Sequence, residues 1–385
     1  MLYDINASKV STLYGVDGNR VSVLYDIFGN VVSGNEDVTP STDYETTILS
    51  VIDAWANEYQ ADSGIVPLII HTDQHQYLNS KRKTTFDFLA KSVKMSELSA
   101  LIGLGDVCGG TNNDTNLNNM VSCLSSIPKS KQINIAGNHD VWAGKTEGSA
   151  YSYSIIDEPT MEKLHSEYMN NTSYGVSHQY DTHGNEYLID EEHDIKYCVF
   201  ATWYYDNTET EERQPYHKHR LTPEVAEYMI DMLSSVDQYD IVILSHIQPY
   251  KNSHEWVYPA VDGNDVTTET KSQLFNSNIG YDAVLDQMIA DRKAKTGGTL
   301  IDSYGGVHNY DFSKCTSDIL CCLAGHTHED MYTSFGGVPV VVFDGYRYDL
   351  NPLYMVNIDR TRERVNVWKF DTGSNIYNFQ VPFAQ

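Results

Sequence analysis

The chain has 385 residues, 41% of them hydrophobic, which is enough for a sizeable core and allows one large domain or two to three ordinary ones. Its formal net charge of −27 excludes a general DNA- or RNA-coating role, because phosphate backbones attract basic surfaces. A phosphate substrate stays open, since bound divalent cations reverse the potential locally. The six cysteines form no CxxC pair and several sit in apolar runs, so no disulfide framework is expected.

The start, MLYDINASKV, lacks the basic region and apolar stretch of a secretory signal. No apolar run approaches the ~20 residues that span a bilayer. A soluble protein with no membrane partner is expected, cytoplasmic or associated with a phage particle. The first 34 residues repeat with a period of 11: LYDINASKVS (2–11), LYGVDGNRVS (13–22) and LYDIFGNVVS (24–33). Asp-Gly and Gly-Asn centres favour tight turns between short strands. Three β units this short must pack on something, either as a docked meander or as an attachment or oligomerisation module that would make a homo-oligomer through residues 1–34. Residues 35–43, polar and Pro-containing, are read as a linker.

From residue 44 the pattern changes. Ile48, Val51, Ile52, Trp55 and Tyr59 recur at helical spacing. Apolar runs then alternate with stretches of helical length. The runs are Val66–Ile70, Leu101–Leu104, Ile133–Ala136, Tyr197–Ala201, Ile241–Leu244 and Ile319–Ala324, and the alternation predicts an α/β core with buried strands. Thr222-Pro223-Glu224 opens a further helix through Tyr228, Met229 and Met232, with threonine as N-cap and proline at the first helical position. Late in the chain, Val338–Phe343, Leu353–Ile358 and Arg364–Phe370 read as strands joined without helices, and so as antiparallel neighbours. Two long polar segments, about 141–196 and 247–316, fit no simple period and are read as insertions that cover or shape a cleft.

The chemistry stands at the ends of the runs. After the first comes Asp73-Gln74-His75; after the second, Gly105-Asp106; after the third, Gly137-Asn138-His139-Asp140. Ser245-His246 follows Ile241–Leu244, and Gly325-His326-Thr327-His328 follows Ile319–Ala324. In open α/β sheets ligands bind beyond the carboxyl ends of the strands, so these groups can converge. Carboxylate, amide oxygen and imidazole without thiolate suit Zn, Mn or Fe. Seven candidates (Asp73, His75, Asp106, Asn138, His246, His326 and His328) are too many for one tetrahedral ion. They suit two divalent ions about 3.5–4 Å apart, between which a bridging water becomes hydroxide and attacks a phosphoester.

The ordered set DxH, GD, GNHD, H and GHxH resembles the calcineurin-like metallophosphoesterase superfamily. The intervals of 33 residues from Asp73 to Asp106 and 32 from Asp106 to Asn138 look like that family's βαβαβ arrangement. The resemblance ties together residues 66–330. It implies an α/β fold, a four-layer α/β/β/α sandwich, over residues 44–385, and a metal-dependent phosphatase or phosphodiesterase. Asp73, His75 and His328 would hold one metal, Asn138, His246 and His326 the other, and Asp106 would bridge. His139 would stabilise charge or protonate the leaving oxygen, oriented by Asp140. The purple acid phosphatase branch carries a tyrosine three residues after the GD aspartate. Here that position is Gly109, which argues against a tyrosinate–iron site.

Some features fall outside the set. His71 is read as a group supporting the ligands. His217 and His219, in a basic context with Arg220, are read as cleft-edge or surface residues, and Asp190-Glu191-Glu192 as a solvated loop. The rival reading from the repeats is a phage-tail or cell-surface attachment protein on the same scaffold, with or without wall-directed phosphodiesterase activity. The partner expected under the main reading is a phosphoester substrate, with no stable nucleic-acid binding.

Overall fold

The computed structural model describes residues 23–25, 31–34, 42–75, 80–108, 113–147, 150–155, 162–179, 184–200, 221–248, 254–259, 266–271, 281–302, 304–345, 352–370 and 376–383. The chain divides into two compact units, residues 1–51 and 52–385. In the first, β1 (Val23–Tyr25) and β2 (Val31–Gly34) pair antiparallel across the third repeat, one residue beyond it at each end. The first two repeats lie outside the described residues. Helix α1 (Thr42–Ala61) runs across the division, so Thr42 and Asp43, expected in the linker, are already helical.

In the second unit β3 (Ile65–His71), α2 (Ser80–Ser92), β4 (Ala100–Gly103), α3 (Asn113–Cys123) and β5 (Gln132–Asn134) form the expected alternation, closed by a single turn, α4 (Asn138–Val141). A hairpin of β6 (Trp142–Glu147) and β7 (Ala150–Ile155) follows. Then come β8 (Val176–Gln179), β9 (Glu186–Asp190), β10 (Ile195–Phe200), α5 (Pro223–Leu233), β11 (Asp240–Ser245), β12 (His254–Tyr258), β13 (Thr267–Lys271) and α6 (Tyr281–Lys293). A second hairpin, β14 (Gly297–Ile301) with β15 (Val307–Asp311), precedes β16 (Ile319–Ala324), β17 (Met331–Phe335), β18 (Val338–Val342), β19 (Leu353–Asp359), β20 (Arg364–Phe370) and β21 (Ile376–Pro382).

The strands form two large mixed sheets. One has six strands in the order β21-β20-β19-β3-β4-β5, with β3, β4 and β5 parallel. The other has nine, β13-β12-β17-β18-β16-β11-β10-β9-β8, parallel from β10 through β18. Alternation along each strand decides what faces what. Val66, Leu68 and Ile70 of β3, Val356 and Ile358 of β19 and Val365 and Val367 of β20 share one core with Tyr197 and Val199 of β10, Val242 and Leu244 of β11, and Cys321 and Leu323 of β16. The two sheets therefore pack face to face through apolar side chains. The opposite face of the larger sheet, including Cys198, Ile241, Ile243 and Cys322, packs with Tyr228, Met229 and Met232 of α5 and Leu285 and Met288 of α6. On the outer face of the smaller sheet, Trp55 of α1 donates its indole N–H to the Val356 carbonyl, and Phe86 of α2 stands edge-on to His71. Helices on both outer faces complete the sandwich.

Local sequence accounts for these elements. The Thr222 side chain caps α5 by accepting from the Val225 amide, with Pro223 at the first position. All six residues of β16 and of β10 are buried, as expected of central strands covered on two faces.

Three expectations need correction. The segment 141–196 is not simply a cover, because β8 and β9 extend the nine-stranded sheet at one edge. Likewise β12 and β13 extend it at the other, and α6 packs on its outer face, so much of 247–316 belongs to the layers. Local sequence hid them: β9 alternates buried and half-buried residues, and β13 is polar throughout. Finally, β18 does not pair with β19. They lie in different sheets, and β18 pairs antiparallel with β17 and parallel with β16. Among the described residues no helix is long and apolar enough to cross a membrane.

Candidate metal centre

The five motif loops follow the carboxyl ends of β3, β4 and β5 in one sheet and β11 and β16 in the other. They are laced together through the backbone. The Asp73 amide donates to the Gly105 carbonyl (2.9 Å), the His75 amide to that of Asp106 (2.8 Å) and the Gly325 amide to that of His246 (2.9 Å). Gly105 sits at φ +93°, and a side chain there would come within 2.5 Å of the Gly137 amide nitrogen. A side chain at Gly325 would strike Thr72 and the Asp73 carboxylate.

Backbone strain concentrates here. Among the described residues eight non-glycine positions have positive φ, and five of them are Asp73, His75, Asp106, His326 and His328. Left-handed backbone costs an L-residue roughly 1–2 kcal/mol and collects where function requires a particular side-chain direction.

All seven predicted ligands come together. Asp73, His75 and His328 offer donor atoms within 4.8 Å of one another, as do Asp106, His246 and His326. Asn138 joins the second group, its Oδ1 lying 3.1 Å from both His246 Nε2 and His326 Nδ1. Asp106 also groups with His75 and His139, which places its carboxylate between the two sets. Its Oδ2 is 3.1 Å from His246 Nε2 and its Oδ1 accepts the His139 amide at 2.7 Å. The His139 ring stands edge-on to that of His75, 4.6 Å between centroids.

The donor set fits divalent cations on four observations. His246 Nδ1 donates to the Leu104 carbonyl at 2.7 Å, which in the neutral ring leaves Nε2 a lone pair aimed at two other acceptors, Asn138 Oδ1 and Asp106 Oδ2. His75 Nε2 and His328 Nε2 face each other at 2.9 Å, and Asp73 Oδ1 lies 3.4 Å from the latter. Asp73 is fully buried, and its Oδ1 accepts no hydrogen bond among the described residues, whereas Oδ2 accepts from Thr72 Oγ1 (2.6 Å) and the His326 amide (2.9 Å). Buried carboxylate and amide oxygens crowded among imidazoles call for positive charge between them, which protons or cations can supply.

The protonation preferences differ between the rings. Burial opposes charging His246, but the Asp106 and Asp73 carboxylates outweigh it and push its pKa up to about 9, so near neutral pH its Nε2 carries a proton facing Asp106 Oδ2 and Asn138 Oδ1, which a cation bound there would displace. Burial drives His75 down to about 4 against those same carboxylates, leaving a neutral ring whose Nε2 faces that of His328. Asp106 stays well below the usual carboxylate range because the surrounding imidazoles outweigh its burial.

Asp140 departs from its expected role. Its two oxygens accept the backbone amides of Cys108 (2.7 Å) and Gly137 (2.8 Å), so it braces the turn after β5 against the loop after β4 rather than orienting the His139 ring. Burial, aided by Asp106, raises its pKa to about 7. His71 points to the helix-covered side, against Phe86. Asp190 is buried and bonded to His193 and Ser99 instead of lying in a solvated loop. Gly109, His217, His219 and Arg220 fall outside the described residues. Sequence reasoning missed Thr72 and the Leu104 carbonyl. It also missed Asp330, Asp344 and Lys369, which meet beside the site.

No family model matches the chain, and no curated protein matches it. Among solved structures, a predicted phosphoesterase from Streptococcus pneumoniae is 9% identical, with a TM-score of 0.30 over 82% of this chain and 97% of that one. Phosphopantetheinyl hydrolase from Mycobacterium tuberculosis is 13% identical, with a TM-score of 0.33 over 74% and 91%. A putative 5'-nucleotidase from Staphylococcus aureus is 12% identical, with a TM-score of 0.38 over 83% of this chain and 55% of that one. Likeness this loose says nothing about activity, and the chemistry is read from the residues of the site themselves.

Proposed function

We propose that this chain is a metal-dependent phosphoesterase that holds two divalent cations and hydrolyses a phosphomonoester or phosphodiester. The observation that carries the reading is the convergence of seven oxygen and imidazole donors into two groups with the Asp106 carboxylate between them. Divalent cations bound there would polarise phosphoryl oxygens and lower the pKa of water.

The chain's own residues supply the rest. Asp73, His75 and His328 make one half of the cradle, and Asn138, His246 and His326 the other. The Leu104 carbonyl accepts from His246 Nδ1, which directs Nε2 toward Asp106 and Asn138. His139 stands beside His75 and Asp106, where its ring can give a proton to the leaving oxygen or stabilise its charge. Asp140 holds the His139 turn in place through Gly137. With a net charge of −27, the surface disfavours long nucleic acid, and a small phosphoester is the expected substrate class.

The test is hydrolysis of bis-p-nitrophenyl phosphate and p-nitrophenyl phosphate with Mn²⁺, Zn²⁺ or chelator, for wild type and Asp106→Ala. Turnover that needs metal and disappears in the variant supports the reading, and the preferred ester assigns monoesterase or diesterase activity. Metal-independent turnover, or turnover retained by Asp106→Ala, defeats it.

A further inference from the structure

The two sheets contribute unequally to the candidate metal centre. Asp73, His75, Asp106 and Asn138 follow strands of the six-stranded sheet, whereas His246, His326 and His328 follow strands of the nine-stranded one. The site therefore exists only if the gap between the sheets is fixed at this end. Elsewhere the gap is filled by apolar side chains, which tolerate small shifts better than a set of converging ligands does.

One inward-facing position breaks the apolar pattern. Along β20, Val365 and Val367 point into the core, and the next residue on that face is Lys369, whose side chain is only 9% exposed. Its Nζ lies 2.6 Å from Asp330 Oδ2 and 2.9 Å from Asp344 Oδ2. Both carboxylates belong to the nine-stranded sheet's side: Asp330 immediately precedes β17 and Asp344 closely follows β18. Tyr354, on the neighbouring β19, donates its hydroxyl to Asp330 Oδ1 at 2.8 Å, and the Asp344 amide donates to the same oxygen at 3.0 Å. Burial opposes charging Lys369, but Asp330 and Asp344 outweigh it and hold the ammonium above its ordinary pKa.

The location gives this cluster its meaning. Asp330 is two residues beyond His328. Gly345, next to Asp344, lies against two ligands: a side chain added there would come 3.0 Å from Asp73 Cγ and 3.3 Å from His328 Nδ1. A buried ion pair is a poor source of net stability compared with an apolar pair of similar volume. What it supplies is a defined geometry.

We propose that Lys369 is a positioning residue for the metal centre, reaching across from β20 to hold the His326–His328 loop and the Asp344–Gly345 loop in register with Asp73. The inference deepens the metal-dependent reading and rests on it. Asp330 and Tyr354 complete the tie, with Tyr354 in the supporting part.

The test is calorimetric titration of the full chain with Mn²⁺, together with the electron paramagnetic resonance spectrum of the loaded protein. The proteins compared are wild type, Lys369→Met, Lys369→Arg and Tyr354→Phe. Ser99→Ala is the control, because Ser99 ties the same two sheets at the opposite end, through Asp190 and Tyr197. The expected result is about a tenfold or greater loss of Mn²⁺ affinity in Lys369→Met, the scale seen when partners that orient ligands are removed. An altered spectrum should accompany it, with substantial recovery in Lys369→Arg. Ser99→Ala should lose thermal stability and keep wild-type affinity and spectrum. Wild-type affinity and spectrum in Lys369→Met overturn the proposal. So does an equal loss in Ser99→Ala, which would make the effect one of general stability. If Lys369→Met fails to fold, Tyr354→Phe decides: a loss of about threefold is expected, and none overturns it. A wild type that binds no Mn²⁺ fails differently, removing the metal reading itself before any variant is compared.

Discussion

The two ends of the sandwich are built from the same two sheets and treat polar groups in opposite ways. At the amino end of β4 and β10, donors meet acceptors. Ser99 Oγ donates to Asp190 Oδ2 and contacts the Tyr197 hydroxyl, Tyr174 donates to the Ser99 carbonyl, and His193 and its backbone amide donate to Asp190. At the carboxyl ends, Asn138 Oδ1 faces His246 Nε2, two imidazole nitrogens face each other at 2.9 Å, and five ligands sit on positive-φ backbone. A satisfied buried network adds stability and a unique arrangement. An end where buried carboxylates crowd imidazoles on strained backbone takes stability away until positive charge enters. The contrast separates residues kept for folding from residues kept for binding without any appeal to function.

The sharpest way to break that contrast is Asp73→Asn. The amide keeps an oxygen for Thr72 and the His326 amide and places N–H groups where Oδ1 now faces imidazole nitrogen. Phosphoesterase activity should fall at least about 1000-fold, the scale for loss of a group central to transition-state stabilisation. The metal-free protein should be as stable as wild type or more so by thermal unfolding. A clear loss of metal-free stability would mean that the carboxyl end is ordinary structure.

Metal should supply what this end lacks. Mn²⁺ at a hundredfold excess over its dissociation constant should stabilise the folded chain by about 2.7 kcal/mol for each cation bound, and chelator should reverse the gain, both read by differential scanning calorimetry. Asp73→Asn should show little of the gain.

At the opposite end, Asp190→Asn should cost roughly 1–3 kcal/mol near neutral pH, the penalty of disturbing a buried hydrogen-bonded carboxylate, with no change in Mn²⁺ affinity. Burial pushes the Asp190 pKa up, but hydrogen bonds from His193 and Ser99 outweigh it and hold it below its ordinary value. A carboxyl depressed on folding stabilises above its unfolded pKa of about 3.9 and loses that contribution as pH falls through the folded value. The gap between wild type and Asp190→Asn in denaturant midpoint should therefore narrow below about pH 4. A constant gap would show that packing, not charge, carries the loss.

The smallest effect expected is at Lys295, another positive-φ residue (φ 54°) after α6, where neighbouring Lys293 pairs with Asp318 ahead of β16 and the ligand loop follows that strand. Lys295→Gly should stabilise by about 0.5–1 kcal/mol, since glycine avoids the left-handed penalty, and should leave metal binding unchanged. Positive φ is then a removable cost at Lys295 and a requirement at His326 and His328.

Sequence alone reached most of the carboxyl end because its signal is local. Each ligand directly follows an apolar run, and order along the chain distinguishes His246 from a structural histidine. The α5 cap was equally legible in Thr222-Pro223. Edge elements were not: β9 alternates buried and half-buried residues and β13 is polar throughout, and with β8 and β12 they read as insertions. Asp140 was placed in the right loop with the wrong partners, because adjacency to His139 says nothing about which way a carboxylate points on a helical turn. Lys369 was invisible for a physical reason. A lysine in a strand reads as solvent-facing, and its partners Asp330 and Asp344 lie 39 and 25 residues away, brought near only by the packing of two sheets.

The central claim is that the carboxyl end is a two-cation site, and elemental analysis of metal content tests it most directly. Wild type and Asp106→Ala would be stripped, loaded with Mn²⁺ and freed of excess by gel filtration. The expected result is two Mn²⁺ per chain in wild type and at most one in the variant. Wild-type protein that retains no Mn²⁺, or a variant that retains the full complement, would contradict the account.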